Sequence, residues 1–229
     1  MHQKCGTIHG TMKNLCIQDE IIQLQPGDVV LTAGNSFVSR AIRWASRSWG
    51  ERKTVVNHVG VISRGGPIWY AQVAEARWRY LVHSLWKAYV NTNQAVAIYR
   101  AVNIPQATRQ RIADRAASFE GTRYGWTKIA LHAADKLLNG AYFFRRLAFL
   151  PNRPICSYAA ARAYADYGFS FGVKPYEAQP DDIWDYVVNS DNYECVRPLS
   201  PIEEAPCQTS TIGTSRRSPA RSTPRRRKQ

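Results

Sequence analysis

The spacing of apolar positions divides the chain into alternating short strands and amphipathic helices. LQPGDVVLTAG reads as a Pro-Gly-Asp turn feeding a strand over Val29 to Thr32. SFVSRAIRWASRSWG sets Phe37, Ala41, Trp44 and Ala45 at helical intervals, and Gly50 closes it. TVVNHVGVISRGG is rich in β-branched residues and ends in a Gly-Gly turn. IWYAQVAEA follows as a second such run, and the two predict a hairpin. QAVAIYRAV predicts a third strand. Pro105 opens the helix PQATRQRIADRAASFEG, with Gly121 as its stop, and WTKIALHAADKLLNG is helical up to Gly140. After Pro151 and Pro154 an Ala-rich helix is expected from about Cys156 to Tyr167, with Gly168 in the left-handed position that ends it. QPDDIWDYV predicts a short capped helix, and YECVRPL a last strand. Neighbouring strands joined by short turns imply an antiparallel sheet, so the fold class is α+β.

Composition narrows the organisation. Seven Trp, twelve Tyr and seven Phe in 229 residues need a packed interior, which excludes an intrinsically disordered chain. The division expected is a flexible leader over 1–20, one domain over 21–200 and a disordered tail over 201–229. No stretch reads as a signal peptide or a transmembrane span, so a cytoplasmic setting is expected. The net charge of +14 is unevenly placed. Arg216, Arg217, Arg221, Arg225, Arg226, Arg227 and Lys228 carry half of it in an acid-free Ser/Thr/Pro-rich tail. That tail suits a polyanion through non-specific phosphate neutralisation.

Five cysteines, at 5, 16, 156, 195 and 207, form no CxxC pair, so most are expected to be reduced thiols. His2, Cys5, His9 and Cys16 match no common zinc spacing, and no metal or cofactor is expected. GxSxG, GxGxxG, HExxH and P-loop patterns are absent. His83 and His132 fall on helical or connecting stretches that suggest no partner for them. Cys156 stands apart, because it opens a helix whose N-terminal partial charge favours thiolate. His58, in mid-strand, is a candidate base, and Glu75 on the following strand is placed to orient its ring.

The order GDVVLTAG, NHVGVI, VAEA, GTRYGW and ICSYAAARAYADYG resembles the permuted papain-like amidases. These form part of the NlpC-type branch of thiol hydrolases, which includes YiiX-type bacterial proteins and related poxvirus proteins. The resemblance covers about Leu24 to Leu199. It implies a circularly permuted papain-like fold in which the strand-borne His precedes the Cys. It carries the nucleophile to Cys156, the base to His58 and the acidic orienter to Glu75. It places Tyr124 facing the cleft, where its hydroxyl would join the Cys156 backbone N–H at an oxyanion. Asp28 matches the family's Gly-Asp turn, a backbone-fixing role. The chain departs from the family at Tyr158, two positions after the Cys, where an acid or polar residue is usual. It departs again in the insert from Thr127 to Arg153.

The function expected is a cysteine-dependent amidase, peptidase or esterase working through a thioacyl-enzyme. Its substrate would be a peptide, a cell-wall fragment or a lipid carrying an amide or ester bond. Two alternatives follow from other residues. A catalytically idle module would bind nucleic acid or an anionic surface through the basic tail. A lipid acyltransferase of the same fold, as in relatives of lecithin retinol acyltransferase, would use Phe143, Phe144 and their apolar neighbours against an acyl chain.

Overall fold

A computed structural model of the chain describes residues 22–34, 55–92, 94–123 and 155–202. The expected leader, the helix after Ser36, the insert, nearly all of the basic tail and Tyr124 lie outside them. Among the described residues the strands are β1 (Gln23–Leu24), β2 (Val29–Ala33), β3 (His58–Arg64), β4 (Gly66–Pro67), β5 (Gln72–Ala76), β6 (Tyr80–Ser84), β7 (Ala95–Ala101) and β8 (Tyr193–Pro201). The helices among them are α1 (Leu85–Tyr89), α2 (Gln106–Ala117), α3 (Cys156–Ala165) and α4 (Pro180–Asn189). Six strands form one antiparallel sheet in the order β6-β5-β3-β2-β7-β8, and β1 pairs with β4 in a separate ribbon. The class is α+β. The hairpin read from the sequence is the β3–β5 pair, with β4 lying in the connection between them.

Period-two alternation sends successive side chains to opposite faces of the sheet. Val59 and Val61 of β3, with Ala74 and Ala76 of β5, pack on the side of α2 and α3 against Ile112, Ala159 and Ala163. Ile62 and Val73 face the other way and meet Leu85 and Tyr89 of α1. Each fully buried Val, Leu or Ile contributes roughly 1.5–3 kcal/mol, so packing on both faces holds the sheet between two cores.

The helix ends carry the expected signals. Pro105 precedes α2, and Gly121, at φ +80°, follows the turn that ends it. Residues 166–168 turn beyond the last residue of α3. There Phe169 N–H donates to Tyr164 O and Gly168 N–H to Ala165 O, with Gly168 at φ +84°. Pro180 opens α4, and the Asp182 carboxylate accepts the Gln179 N–H at 2.9 Å.

Four elements were not visible in the sequence, the short ribbon strands β1 and β4 among them. YLVHS is strand β6 at the sheet edge, and LWKAY is the single-turn helix α1, capped by the Ser84 hydroxyl. Cys195 is in a disulfide, and Cys156 is a free thiol. Among the described residues no helix is long and apolar enough to cross a membrane.

Gly60 lies opposite Glu75, and a Cβ there would come within 2.7 Å of Val73 Cγ2. Gly60→Ala should therefore destabilise the fold by about 1–3 kcal/mol, read as a lower urea midpoint. An unchanged midpoint would show that the strands relax around the extra methyl.

Candidate active site

Glu75 is fully buried in β5 and is approached from both neighbouring strands. Its Cα partner on β3 is Gly60, so His58, two residues away on the same face, reaches it diagonally. His58 Nε2 lies 3.0 Å from Glu75 Oε2. On the other side Val73 pairs with His83 of β6, and His83 Nε2 lies 2.8 Å from Oε1. Arg77 Nε donates to Oε1 at 2.7 Å, and the Tyr89 hydroxyl of α1 donates to Oε2 at 2.5 Å. The Arg77 guanidinium also stands 5.0 Å from the Tyr89 ring centre. An ionised carboxylate only accepts, so both imidazoles present Nε2–H to it. For His58 that leaves Nδ1 to face elsewhere.

Cys156 begins α3, with Ile155 as the N-cap and no acid in the first turn. Its sulfur stands near enough to the His58 ring and to the backbone N–H groups of Val59 and Ser157 for all three to favour its ionised form. The helix start is pinned from behind, because the Ser157 hydroxyl donates to Ala178 O at 2.7 Å. At its far end the Tyr164 hydroxyl donates to Gly27 O in the Pro-Gly-Asp turn. Asp28 holds that turn. It accepts from Gln25 N–H at 2.8 Å and from Arg100 at 2.7 and 2.9 Å, a structural role.

The electrostatics follow from this packing. Burial resists ionisation of the Cys156 thiol, but the His58 charge and hydrogen bond, with the two backbone donors, bring its pKa down. Burial pulls His58 down, yet the Cys156 and Glu75 charges outweigh it and push the imidazole up to about 10. Burial likewise opposes Glu75, and His58, His83 and Arg77 hold its carboxyl well below the usual carboxylate range. Burial raises the pKa of the Tyr80 hydroxyl, and the Glu75 and Cys156 charges raise it further.

Of the four residues singled out in the sequence, His58, Glu75 and Cys156 come together, and Tyr124 lies outside the described residues. His83 is corrected: it is a strand residue bonded to Glu75, not an unpartnered residue on a helix or connection. Arg77 and Tyr89 were missed with it. YLVHS shows no polar–apolar alternation, so β6, and with it the second histidine, left little signal in the sequence. Tyr158 stacks edge-on with Phe119 at 6.4 Å.

No protein-family model matches the chain, and comparison with curated proteins finds no match. Among solved structures the metalloprotein yiiX from Escherichia coli O157:H7 is similar, at 16% sequence identity and a TM-score of 0.51. The likeness covers 78% of this chain and 99% of that one, and at this identity it shows a shared fold. Among the described residues no group of three or more His, Cys, Asp or Glu is arranged to hold a metal ion. His58, His83 and Glu75 spend their facing atoms on one another.

Glu75→Gln removes one of the two anions that raise His58, so the imidazole pKa should fall from about 10, as read by NMR titration of its ring. It also leaves Arg77 and His58 without their carboxylate, at a cost of about 3–5 kcal/mol in urea unfolding. An unmoved His58 titration would contradict the placement of that charge. Stability should vary with pH in two windows. The His58 contribution is complete below the ordinary value of 6.5 and is lost as pH rises through about 10. The Glu75 contribution is present above 4.5 and is lost as pH falls through its depressed value. Thermal melts across pH check this, and a stability maximum outside the interval between those windows would refute it.

Proposed function

We propose that this chain is a cysteine-dependent hydrolase of permuted papain-like fold, with Cys156 as nucleophile, His58 as acid–base and Glu75 as the residue that orients His58. One observation carries the reading. A single imidazole is bonded to the Glu75 carboxylate through Nε2 and is coupled electrostatically to the Cys156 sulfur at a helix N-terminus. The chain order of His58, Glu75 and Cys156 is that of the permuted amidases, and the fold shared with yiiX supports it.

The chemistry follows from the protonation states. The thiol proton resides on His58 Nδ1, leaving a thiolate whose charge the imidazolium and two backbone N–H groups offset. The sulfur attacks the carbonyl carbon of an amide or ester, and the carbonyl π electrons move to oxygen. That oxyanion forms at the start of α3, where the Cys156 N–H and the helix dipole favour negative charge. The oxyanion then collapses, the bond to nitrogen or oxygen breaks, and His58 passes its proton to the departing atom. Water, deprotonated by the now neutral His58, attacks the thioester carbonyl and expels the thiolate. An alcohol or amine in place of water would turn the same intermediate to acyl transfer. Glu75 stays ionised throughout and holds the ring while its charge changes.

The test is acylation by 4-nitrophenyl acetate. Wild-type protein should release a burst of nitrophenolate and carry an acetyl group on Cys156 by peptide mass spectrometry. Cys156→Ala should abolish the burst, and His58→Ala should slow it by about 10²–10⁴-fold. Nitrophenolate release that both variants retain would refute the assignment.

A further inference from the structure

We propose that the acyl donor carries an anionic group, a carboxylate or a phosphate, which Arg79 and Arg123 hold to one side of the Cys156–His58 centre. This rests on the hydrolase reading above and names its substrate class. The carrying observation is a pair of like charges. Arg79 and Arg123 are direct partners in an isolated antiparallel bridge. Residues so placed project to one face with Cβ atoms about 4.5–5.5 Å apart, and like charges there repel. Both side chains are exposed, and among the described residues neither has an ion pair or side-chain hydrogen bond.

Four other arginines are supplied with acids. Arg77 meets Glu75, Arg100 meets Asp28, and Arg115 and Arg162 share Asp166. Glu120, close in sequence to Arg123, is turned to the Val82 N–H at 3.2 Å instead. Two guanidinium forks side by side without a counter-charge are suited to bridging an oxyanion with two or more acceptor oxygens.

The position ties the pair to the reacting centre. Arg77 N–H donates to Arg79 O across the turn from β5 to β6, and the Arg77 side chain rests on Glu75. Tyr80, the next residue, is the one whose hydroxyl feels the Cys156 charge. Alternation places Arg79 on the face of the sheet that carries Glu75 and His83, at the end where His58 begins β3. Neighbouring strands lie about 4.8 Å apart, so Arg79 is about 10 Å from His58 across two spacings. Between the arginines of this turn Trp78 is 75% exposed, and Leu81 is exposed beyond it. Their apolar surface suits a hydrocarbon spacer between the reacting carbonyl and the anionic end.

Chain-matched esters test this on the full-length protein. The probes are 4-nitrophenyl heptanoate, which is neutral, and mono-4-nitrophenyl suberate, whose carboxylate ends a chain of similar length. The readout is the ratio of their kcat/KM values. Wild-type protein should favour the suberate, and Arg79→Gln with Arg123→Gln should lower the ratio by about tenfold, the size of one charge-assisted hydrogen bond at a part-exposed site. Continued turnover of the neutral ester by the double variant shows that its fold stands. Arg111→Gln, which removes an exposed charge from α2, should leave the ratio unchanged.

The 4-nitrophenyl ester of 7-phosphonoheptanoate repeats the comparison for a phosphate-like head. Selective loss on either anionic ester sustains the proposal. A ratio indifferent to Arg79 and Arg123, or one that falls equally with Arg111, overturns it while leaving the hydrolase reading intact. If wild-type Cys156 is acylated by none of the esters, the hydrolase reading fails and the anion site falls with it.

Discussion

The site depends on one buried carboxylate. Glu75 has no exposure to solvent, and taking an ionised carboxyl out of water costs several kcal/mol unless its oxygens are fully bonded. Four donors meet that requirement: His58 from one side, His83 from the other, Arg77 from two residues further along, and Tyr89 from the helix after β6. Because the carboxylate can only accept, it dictates which nitrogen of each imidazole carries hydrogen. It thereby fixes the His58 ring with its other nitrogen free for Cys156. The charges also balance locally. An imidazolium and a guanidinium stand against a carboxylate and a thiolate, so the cluster is close to neutral in its ion-paired state.

Register makes this possible. A one-residue slip between β3 and β5 would send His58 to the opposite face from Glu75, because side chains alternate with period two. The valines and alanines packed under α2 and α3 forbid that slip, since it would turn Val59 and Val61 out of their core. Gly60 places no side chain directly opposite Glu75, so histidines on both flanking strands approach the carboxylate diagonally. The helix bearing Cys156 is held separately, at its start by Ser157 on Ala178 O and near its end by Tyr164 on Gly27 O. The Pro-Gly-Asp turn, clamped by Asp28 and Arg100, thus positions the helix that bears Cys156 from a distance.

Much of this was legible in the chain because it obeys local rules. β2, β3, β5 and β7 read from short apolar and β-branched runs between turns, α2 and α3 from their proline starts and glycine stops, and α4 as a short capped helix. His58, Glu75 and Cys156 stood out as residue types in a chain order shared with the permuted amidases. What escaped was set by tertiary contact. LWKAY is too short to read as a helix, and its Tyr89 matters only because it reaches a carboxylate fourteen residues back. His83 belongs to an edge strand whose five residues give little periodicity, so its partner could not be inferred before the pairing of β5 with β6 was known. The disulfide at Cys195 was equally hidden, since connectivity does not follow from cysteine spacing.

On the proposed reading, His58, held by Glu75, keeps Cys156 as a thiolate. The most direct measurement is the rate of Cys156 alkylation by iodoacetamide as a function of pH, followed peptide by peptide in the wild type and in His58→Ala. The wild-type rate should rise through an inflection well below the ordinary thiol value of about 8.5 and stay high through neutrality, and His58→Ala should return the inflection to the ordinary range or above. A wild-type inflection at or above the ordinary value, unmoved by the loss of His58, would contradict the account.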